Sequence, residues 1–197
     1  MKKIIRNQAN LIILAHEIYG INEHMKVCCE RLAQAGFDVV CPNLLNIPKI
    51  FSYSEEEEAY THFFTNCRFE SIAADFNELT AKYKSSYEKI FIVGFSVGAT
   101  AAWLGSTIKD INGAVCFYGS RIRDYTELEP NCPVLLFFPE KEQSFDVNIL
   151  INQLAAKKVE KVQMNGKHGF CDPYSLNYKE DNAETAWGLM LAFLQAI

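Results

Sequence analysis

"IFIVGFSVGAT", residues 90–100, places a serine directly behind an apolar run and between two glycines. The run from Ile90 to Gly94 has the composition of a strand buried on both faces, and small residues with a helical pattern follow Ser96. The string Gly94-Phe95-Ser96-Val97-Gly98 matches G-x-S-x-G, in which a sharp strand-to-helix turn exposes the serine hydroxyl. The stretch therefore predicts a strand, a turn and a helix with Ser96 as a candidate nucleophile. A glycine-rich turn with an N-capping serine is the alternative.

Short apolar runs alternate with helix-patterned stretches on both sides of this turn. Runs that are apolar throughout predict strands buried on both faces, and strands joined by helices need crossover connections. The sequence therefore predicts an α/β fold with a mostly parallel, doubly wound sheet and helices on both faces, in a single domain over residues 1–197. The predicted strands are Leu11–Ala15, Phe37–Cys41, Ile90–Val93, Ala114–Tyr118, Val134–Phe138 and Val159–Met164, and the predicted helices are Glu23–Ala35, Phe69–Lys84, Val97–Ile108, Val147–Ala156 and Glu180–Ala196.

Composition excludes several classes of function. The 197 residues carry a formal net charge of −5, without the basic surface that nucleic acids require. Seven cysteines form an odd set with no C-x-x-C pair, which favours reduced thiols in a cytoplasmic protein. The apolar run near the beginning is shorter than a signal-peptide core, so we expect neither export nor a membrane. We also expect no cofactor or metal, and a monomer or homodimer.

A serine hydroxyl becomes a nucleophile when a histidine takes its proton, and a carboxylate must orient that histidine. In hydrolases with this elbow, the chain order is nucleophile, acid, base. His16, His24 and His62 precede Ser96, whereas His168 follows it, in a loop after the last predicted strand. This order selects His168 as the base.

The acid is expected in "PEKEQSFD", which follows the strand at 134–138. Glu140, Glu142 and Asp146 are all available there. Glu142 is favoured because it lies three to four residues past the strand, whereas Glu140 is close to the sheet and Asp146 is placed to cap the next helix. A solvated acidic turn is the alternative.

The oxyanion formed during attack needs preorganised donors. The amide of Val97 is one candidate, and the amide of Ile18, in the loop after the first long strand, is the second. Glu17 would then lie near the nucleophile, where burial requires hydrogen bonds to its carboxylate; a surface turn is the alternative. Tyr118 ends its strand and either lines the pocket or packs in the core.

Residues 43–68 form a segment whose first part, Asn43 to Ser54, lacks periodicity. The carboxylates Glu55 to Glu58 complement the dipole at the start of a helix that runs towards Asn66. The aromatic residues of this segment indicate either a flap over a pocket or ordinary loop packing.

Four blocks of sequence resemble the dienelactone hydrolase family of the α/β-hydrolase superfamily. They are "LIILAHEIYGINEHMKVCCERLAQAGFDVVCPNLL", "IFIVGFSVGATAAW", "AVCFYGSRI" and "HGFCDPYSLNYKEDNAETAWGLMLAFL". The resemblance implies Ser96 as nucleophile, His168 as base, Glu17 as a carboxylate that holds or activates the nucleophile, and an oxyanion hole from the amides of Ile18 and Val97. It implies a carboxylic ester or lactone hydrolase similar to carboxymethylenebutenolidase.

The chain departs from the family pattern at several positions. The best-known members have cysteine where this chain has Ser96, and their acid is usually aspartate, where Glu142 stands here.

Arg68 and Arg121 are candidates for anchoring a substrate. Alternative functions are a non-catalytic ligand-binding homologue, favoured by the unusual acid loop, and a thioesterase or peptidase of the same superfamily.

Overall fold

A seven-stranded sheet forms the centre of the protein in a computed structural model that describes residues 1–197. The strands, in chain order, are β1 (Lys2–Ile4), β2 (Asn10–Ala15), β3 (Asp38–Cys41), β4 (Lys89–Phe95), β5 (Gly113–Phe117), β6 (Val134–Lys141) and β7 (Glu160–Lys167). Their order across the sheet is β1-β3-β2-β4-β5-β6-β7. β1 is antiparallel to β3, and all other neighbours are parallel. The predicted mostly parallel sheet is confirmed.

Helices cover both faces of the sheet, as predicted. They are α1 (Glu23–Gln34), α2 (Glu56–Asn66), α3 (Phe69–Tyr83), α4 (Val97–Gly105), α5 (Val147–Gln153) and α6 (Glu180–Ala196). Alternate residues of β4 point to opposite faces: Ile90 and Ile92 pack in the core under α2 to α5, whereas Phe91 and Val93 pack in the core under α1 and α6. This double burial explains why the central strands are apolar at every position.

Two edge strands differ from the sequence prediction. β1 was not predicted, and β7 runs to Lys167, beyond the predicted end at Met164. Both strands carry exposed residues because each pairs with a single neighbour, so apolarity alone does not mark their bounds.

Loops that follow parallel strands leave from one edge of the sheet, the edge where open α/β sheets bind ligands. Residues 43–68, which we call the covering segment, lie against the loop after β2: the Phe51 amide donates to the Tyr19 carbonyl at 3.0 Å, and the Leu44 amide donates to His16 Nε2 at 2.8 Å. The covering segment therefore packs at this carboxyl edge. All seven cysteines are free thiols, and five are buried. No helix has the length and apolarity that crossing a lipid bilayer requires.

Candidate active site

Ser96 occupies a strained turn between β4 and α4. Its φ of 55° and ψ of −116° lie where side chains are disfavoured, at a cost of about 1–3 kcal/mol. It is the one partly exposed residue between Ile90 and Ser106, where every other residue is buried. The strained conformation of the turn therefore exposes the Ser96 hydroxyl in an otherwise buried stretch.

The glycines on either side of Ser96 are required by backbone contacts. A Cβ at Gly94 would lie 2.2 Å from the Gly98 carbonyl oxygen, and a Cβ at Gly98 would lie 2.3 Å from the Ala15 carbonyl oxygen. Real Cβ atoms do not approach backbone atoms this closely. The two glycines let α4 start directly against β4 and against the end of β2.

We expect Gly98→Ala to lower the free energy of unfolding by about 1–3 kcal/mol or more, because the added methyl group meets backbone that cannot rotate away. The matched control is Gly188→Ala in α6, where a Cβ would meet no atom within 4 Å. That change is expected to raise stability by about 0.5–1 kcal/mol. Urea unfolding of both variants measures the difference, and equal stability of the two would refute the packing argument.

Three side chains from distant parts of the chain meet at the turn. His168 Nε2 lies 2.9 Å from Ser96 Oγ, and His168 Nδ1 lies 2.7 Å from Glu142 Oε1. With a neutral imidazole, the serine hydroxyl donates to Nε2 and Nδ1–H donates to the carboxylate. The structure thus brings together the three residues that the sequence selected.

The pKa of His168 is raised above its ordinary value. Burial disfavours the imidazolium, but the hydrogen bond and charge of Glu142, together with the charges of Glu17 and Glu56, outweigh burial. The imidazole is therefore a stronger base than free histidine, which suits acceptance of a proton from a hydroxyl.

The other two carboxylates of the acid loop have different positions. Glu140 is exposed within β6. Asp146 is the N-cap of α5, where its side chain accepts from the Asn148 amide at 2.8 Å, as predicted. The side chain of Glu142 is only 7% exposed. Of the three, Glu142 is the carboxylate in contact with His168.

The amides of Val97 and Ile18 are expected to stabilise an oxyanion. Val97 adjoins Gly98, and Ile18 follows the Ala15 and His16 carbonyls against which Gly98 packs. Val97 is the first residue of α4, so its amide has no partner within the helix. The amide of Ile18 donates to no backbone carbonyl. His16 fixes the loop that carries Ile18: its Nδ1 donates to the Glu17 carbonyl at 2.6 Å, and burial lowers its pKa to about 4, which keeps it neutral.

A buried group of ionisable side chains lies beside this site. His24 Nδ1 is 3.8 Å from Glu17 Oε2 and 3.7 Å from Asp172 Oδ2, and all three residues are at most 5% exposed. Their ligand atoms lie within 4.8 Å of one another, so these are the residues that could hold a metal ion. The imidazolium of His24 can itself supply positive charge between the two carboxylates, without a metal ion.

The pKa values of this group favour the imidazolium. Burial opposes a charge on His24, but Cys28 and Glu17 outweigh it and hold the pKa of His24 well above its usual range. Burial alone would raise the pKa of Glu17, yet His24 brings it below the ordinary value. The pKa of Asp172 is raised, because its burial exceeds the effect of His24. Glu17 is therefore a buried, ionised carboxylate and not part of a surface turn.

The remaining candidate site residues, Tyr118, Arg121 and Arg68, differ in how deeply they are buried. Tyr118 is 1% exposed, and its ring centroid is 5.0 Å from that of His168, so it packs in the core and against the site at once. Arg121 is ion-paired with Asp124 at 2.8 Å and lies over the Phe64 ring of the covering segment. Arg68 is exposed at the N-cap position of α3.

Sequence reasoning missed His24, Asp172 and Tyr53. His24 precedes Ser96 and therefore fails the chain order expected of a base. The Tyr53 hydroxyl donates to Asp172 at 2.5 Å, but the two residues are 119 positions apart, so no local pattern connects them. The only local signal was an acidic residue four positions after His168 within the apolar "GFCDP".

The chain is similar to known proteins over nearly its whole length. Residues 3–197 match the model of the dienelactone hydrolase family. The uncharacterised protein YczH of Bacillus subtilis is 43% identical over 171 residues, which cover 85% of this chain and 84% of YczH. A Yersinia pestis protein, named provisionally as a carboxymethylenebutenolidase, is 25% identical over 203 residues, which cover 92% of this chain and 76% of that protein.

A solved structure supports the same fold. The crystal structure of a provisionally assigned dienelactone hydrolase from Klebsiella pneumoniae superimposes with a TM-score of 0.79 at 22% identity, and the match covers 94% of this chain and 85% of that chain. At this level of identity, the likeness shows the fold alone, which is the α/β-hydrolase fold.

Proposed function

We propose that this chain, which belongs to the dienelactone hydrolase family, is a serine hydrolase that cleaves a small carboxylic ester or lactone through an acyl-enzyme. Family membership supports a hydrolase. The observation that carries the finer proposal is the unbroken hydrogen-bonded line from Ser96 Oγ through His168 to Glu142, at 2.9 and 2.7 Å. Without that line, a serine hydroxyl at this turn would be unreactive.

In the proposed reaction, Ser96 Oγ attacks the substrate carbonyl carbon while its proton passes to His168 Nε2. Glu142 holds the imidazole in the tautomer that accepts at Nε2 and stabilises the imidazolium that forms. His168 then gives the proton to the leaving alkoxide, which departs and leaves an acyl group on Ser96. Water repeats the sequence against the acyl-enzyme and restores the hydroxyl. In a lactone, the leaving alkoxide takes the proton but remains joined to the acyl group by the carbon chain, so the last step releases a single hydroxy acid.

The negative charge on the carbonyl oxygen would be stabilised by the amides of Ile18 and Val97. The N-terminus of α4 points at the same region because Ser96 immediately precedes the helix, so the helix dipole adds to the two donors. These groups are fixed by backbone packing at Gly98 and need no rearrangement during attack.

A substrate class of small esters or lactones is proposed from the family and from the name of the Yersinia pestis relative. A thioesterase or peptidase would use the same residues. Short-chain nitrophenyl esters, lactones, acyl-thioesters and peptides, assayed side by side, distinguish these activities, and we expect the highest kcat/KM for an ester or lactone.

The test of the mechanism is covalent labelling with a fluorophosphonate probe. We expect the wild-type protein to be labelled at Ser96, and His168→Ala to react at least about 100-fold more slowly, because the base is absent. A wild-type protein that is folded yet neither labelled nor active on the panel would be a binding homologue. The feature that favoured a binder was the unusual acid loop, and Glu142 of that loop contacts His168.

A further inference from the structure

The hydroxyl of Tyr53 joins three separate parts of the chain at one point. It donates to Asp172 Oδ2 at 2.5 Å and accepts from Asn22 Nδ2 at 3.0 Å. Tyr53 belongs to the covering segment, Asn22 caps α1 in the loop after β2, and Asp172 lies in the loop that carries His168. One hydroxyl thus connects the segment to both loops that build the candidate site.

Asp172 fixes the loop that carries the catalytic imidazole. Its amide donates to the Gly169 carbonyl at 3.0 Å, and its second carboxylate oxygen accepts from the Tyr174 amide at 2.9 Å. Since Asp172 is 1% exposed, water cannot replace a donor that is removed from its carboxylate. The position of His168 therefore depends on contacts made four residues later in the same turn.

The connection continues from Asp172 through His24 to Glu17. His24 Nδ1 lies 3.7 Å from Asp172 and 3.8 Å from Glu17, and its ring packs edge-on against Phe95, the residue before Ser96, at 5.0 Å. Glu17 in turn precedes Ile18, whose amide is a proposed oxyanion donor. A shift of Asp172 would therefore reach both sides of the reacting centre.

We propose that Tyr53 is a positioning residue whose hydroxyl, acting through Asp172, couples the covering segment to the His168 loop and to the loop of Glu17 and Ile18. The covering segment is then a fixed part of the site and does not act as a freely opening flap. The kinetic part of this inference rests on the proposed function, whereas the mechanical coupling does not.

Tyr53→Phe isolates the hydroxyl. The ring of Tyr53 packs against the ring of Tyr19 with centroids 4.6 Å apart, and phenylalanine preserves that contact. The chain also offers a matched control, because the Tyr87 hydroxyl donates to Asp38 Oδ2 at 2.9 Å and Asp38 is fully buried. Asp38 begins β3, at the amino ends of the parallel strands, whereas the site lies at their carboxyl ends. Tyr87→Phe therefore removes the same kind of bond without touching the site.

Amide hydrogen exchange with mass spectrometry tests the coupling on the full chain without any need for activity. In Tyr53→Phe we expect exchange to rise at least about 10-fold in residues 43–68 and in residues 168–179 together, with the amides of Phe51 and Asp172 among the reporters. Tyr87→Phe should leave both regions at wild-type rates. Faster exchange confined to the covering segment, or no change in either region, would overturn the coupling.

Steady-state kinetics test the consequence for the site. Tyr53→Phe is expected to lower kcat roughly 10–100-fold with KM changed less than about threefold, because misplacement of His168 affects reaction more than binding. The double variant Tyr53→Phe/Asp172→Ala should have the kcat of Asp172→Ala alone, since both changes break one connection. Unchanged kcat in Tyr53→Phe, or multiplying losses in the double variant, would refute the positioning role. An inactive wild-type protein would refute the proposed function and leave the exchange result decisive.

Discussion

Ser96→Ala is expected to lower kcat for an activated ester by about 10⁴-fold or more, because the acyl-enzyme can no longer form. The measurement is a hydrolysis assay at high enzyme concentration, with the rate of spontaneous hydrolysis subtracted. Fluorophosphonate labelling should vanish in the same variant. Alanine removes only the hydroxyl, so any residual rate reports what the oxyanion donors achieve without a nucleophile.

The control for Ser96→Ala is its combination with His168→Ala. Residues that act as one unit have non-additive effects, so the double variant should be no slower than Ser96→Ala alone. A urea unfolding curve must show that the fold persists in each variant. Residual activity of Ser96→Ala within about tenfold of wild type would exclude Ser96 as the nucleophile.

Glu142→Gln is expected to lower kcat/KM by about 10³–10⁴-fold and to move the acid limb of its pH profile to lower pH. In the wild type, kcat/KM should rise as His168 loses its proton, with an apparent pKa above the ordinary histidine value, since Glu142 favours the imidazolium. A neutral amide at position 142 removes that stabilisation, so the proton leaves His168 at lower pH. The expected profile is therefore lower in height and displaced towards acid.

Glu140→Gln is the matched control, because Glu140 is exposed two residues away and does not contact His168. It should leave both the height and the acid limb of the profile at wild-type values. A large loss in Glu140→Gln together with a normal Glu142→Gln would show that the wrong carboxylate has been assigned to His168.

The elbow and the central strands could be predicted because their causes are local. The apolar run before Ser96 reports burial of β4 on both faces, and the flanking glycines report contacts that leave no room for a Cβ. The chain order of nucleophile, acid and base then selected His168, and the position three to four residues past the end of its strand favoured Glu142 over Glu140 and Asp146. Sequence reasoning works well where one residue type is dictated by its immediate neighbours.

The strand β1, the end of β7 and the contacts of His24 and Asp172 could not be predicted because their causes are remote. β1 has three residues, two of them lysines, and is held in place by its pairing with β3. The partners of Asp172 come from positions 24 and 53, and no periodicity links those positions to it. For residues 43–54 of the covering segment, packing on Tyr19 and on His16 determines the conformation, whereas this part of the sequence has no regular pattern.

The order of the strands has a consequence for a growing chain on the ribosome. Ser96 and its strained turn are translated well before β6 and β7, which bring Glu142 and His168 to the sheet last. Domains fold as units, and synthesis proceeds from the N-terminus. A nascent or prematurely terminated polypeptide therefore has a Ser96 hydroxyl with no base beside it. On the proposed mechanism, we expect hydrolytic activity only after β7 has paired with β6. Incomplete translation products of this protein should therefore have no hydrolase activity.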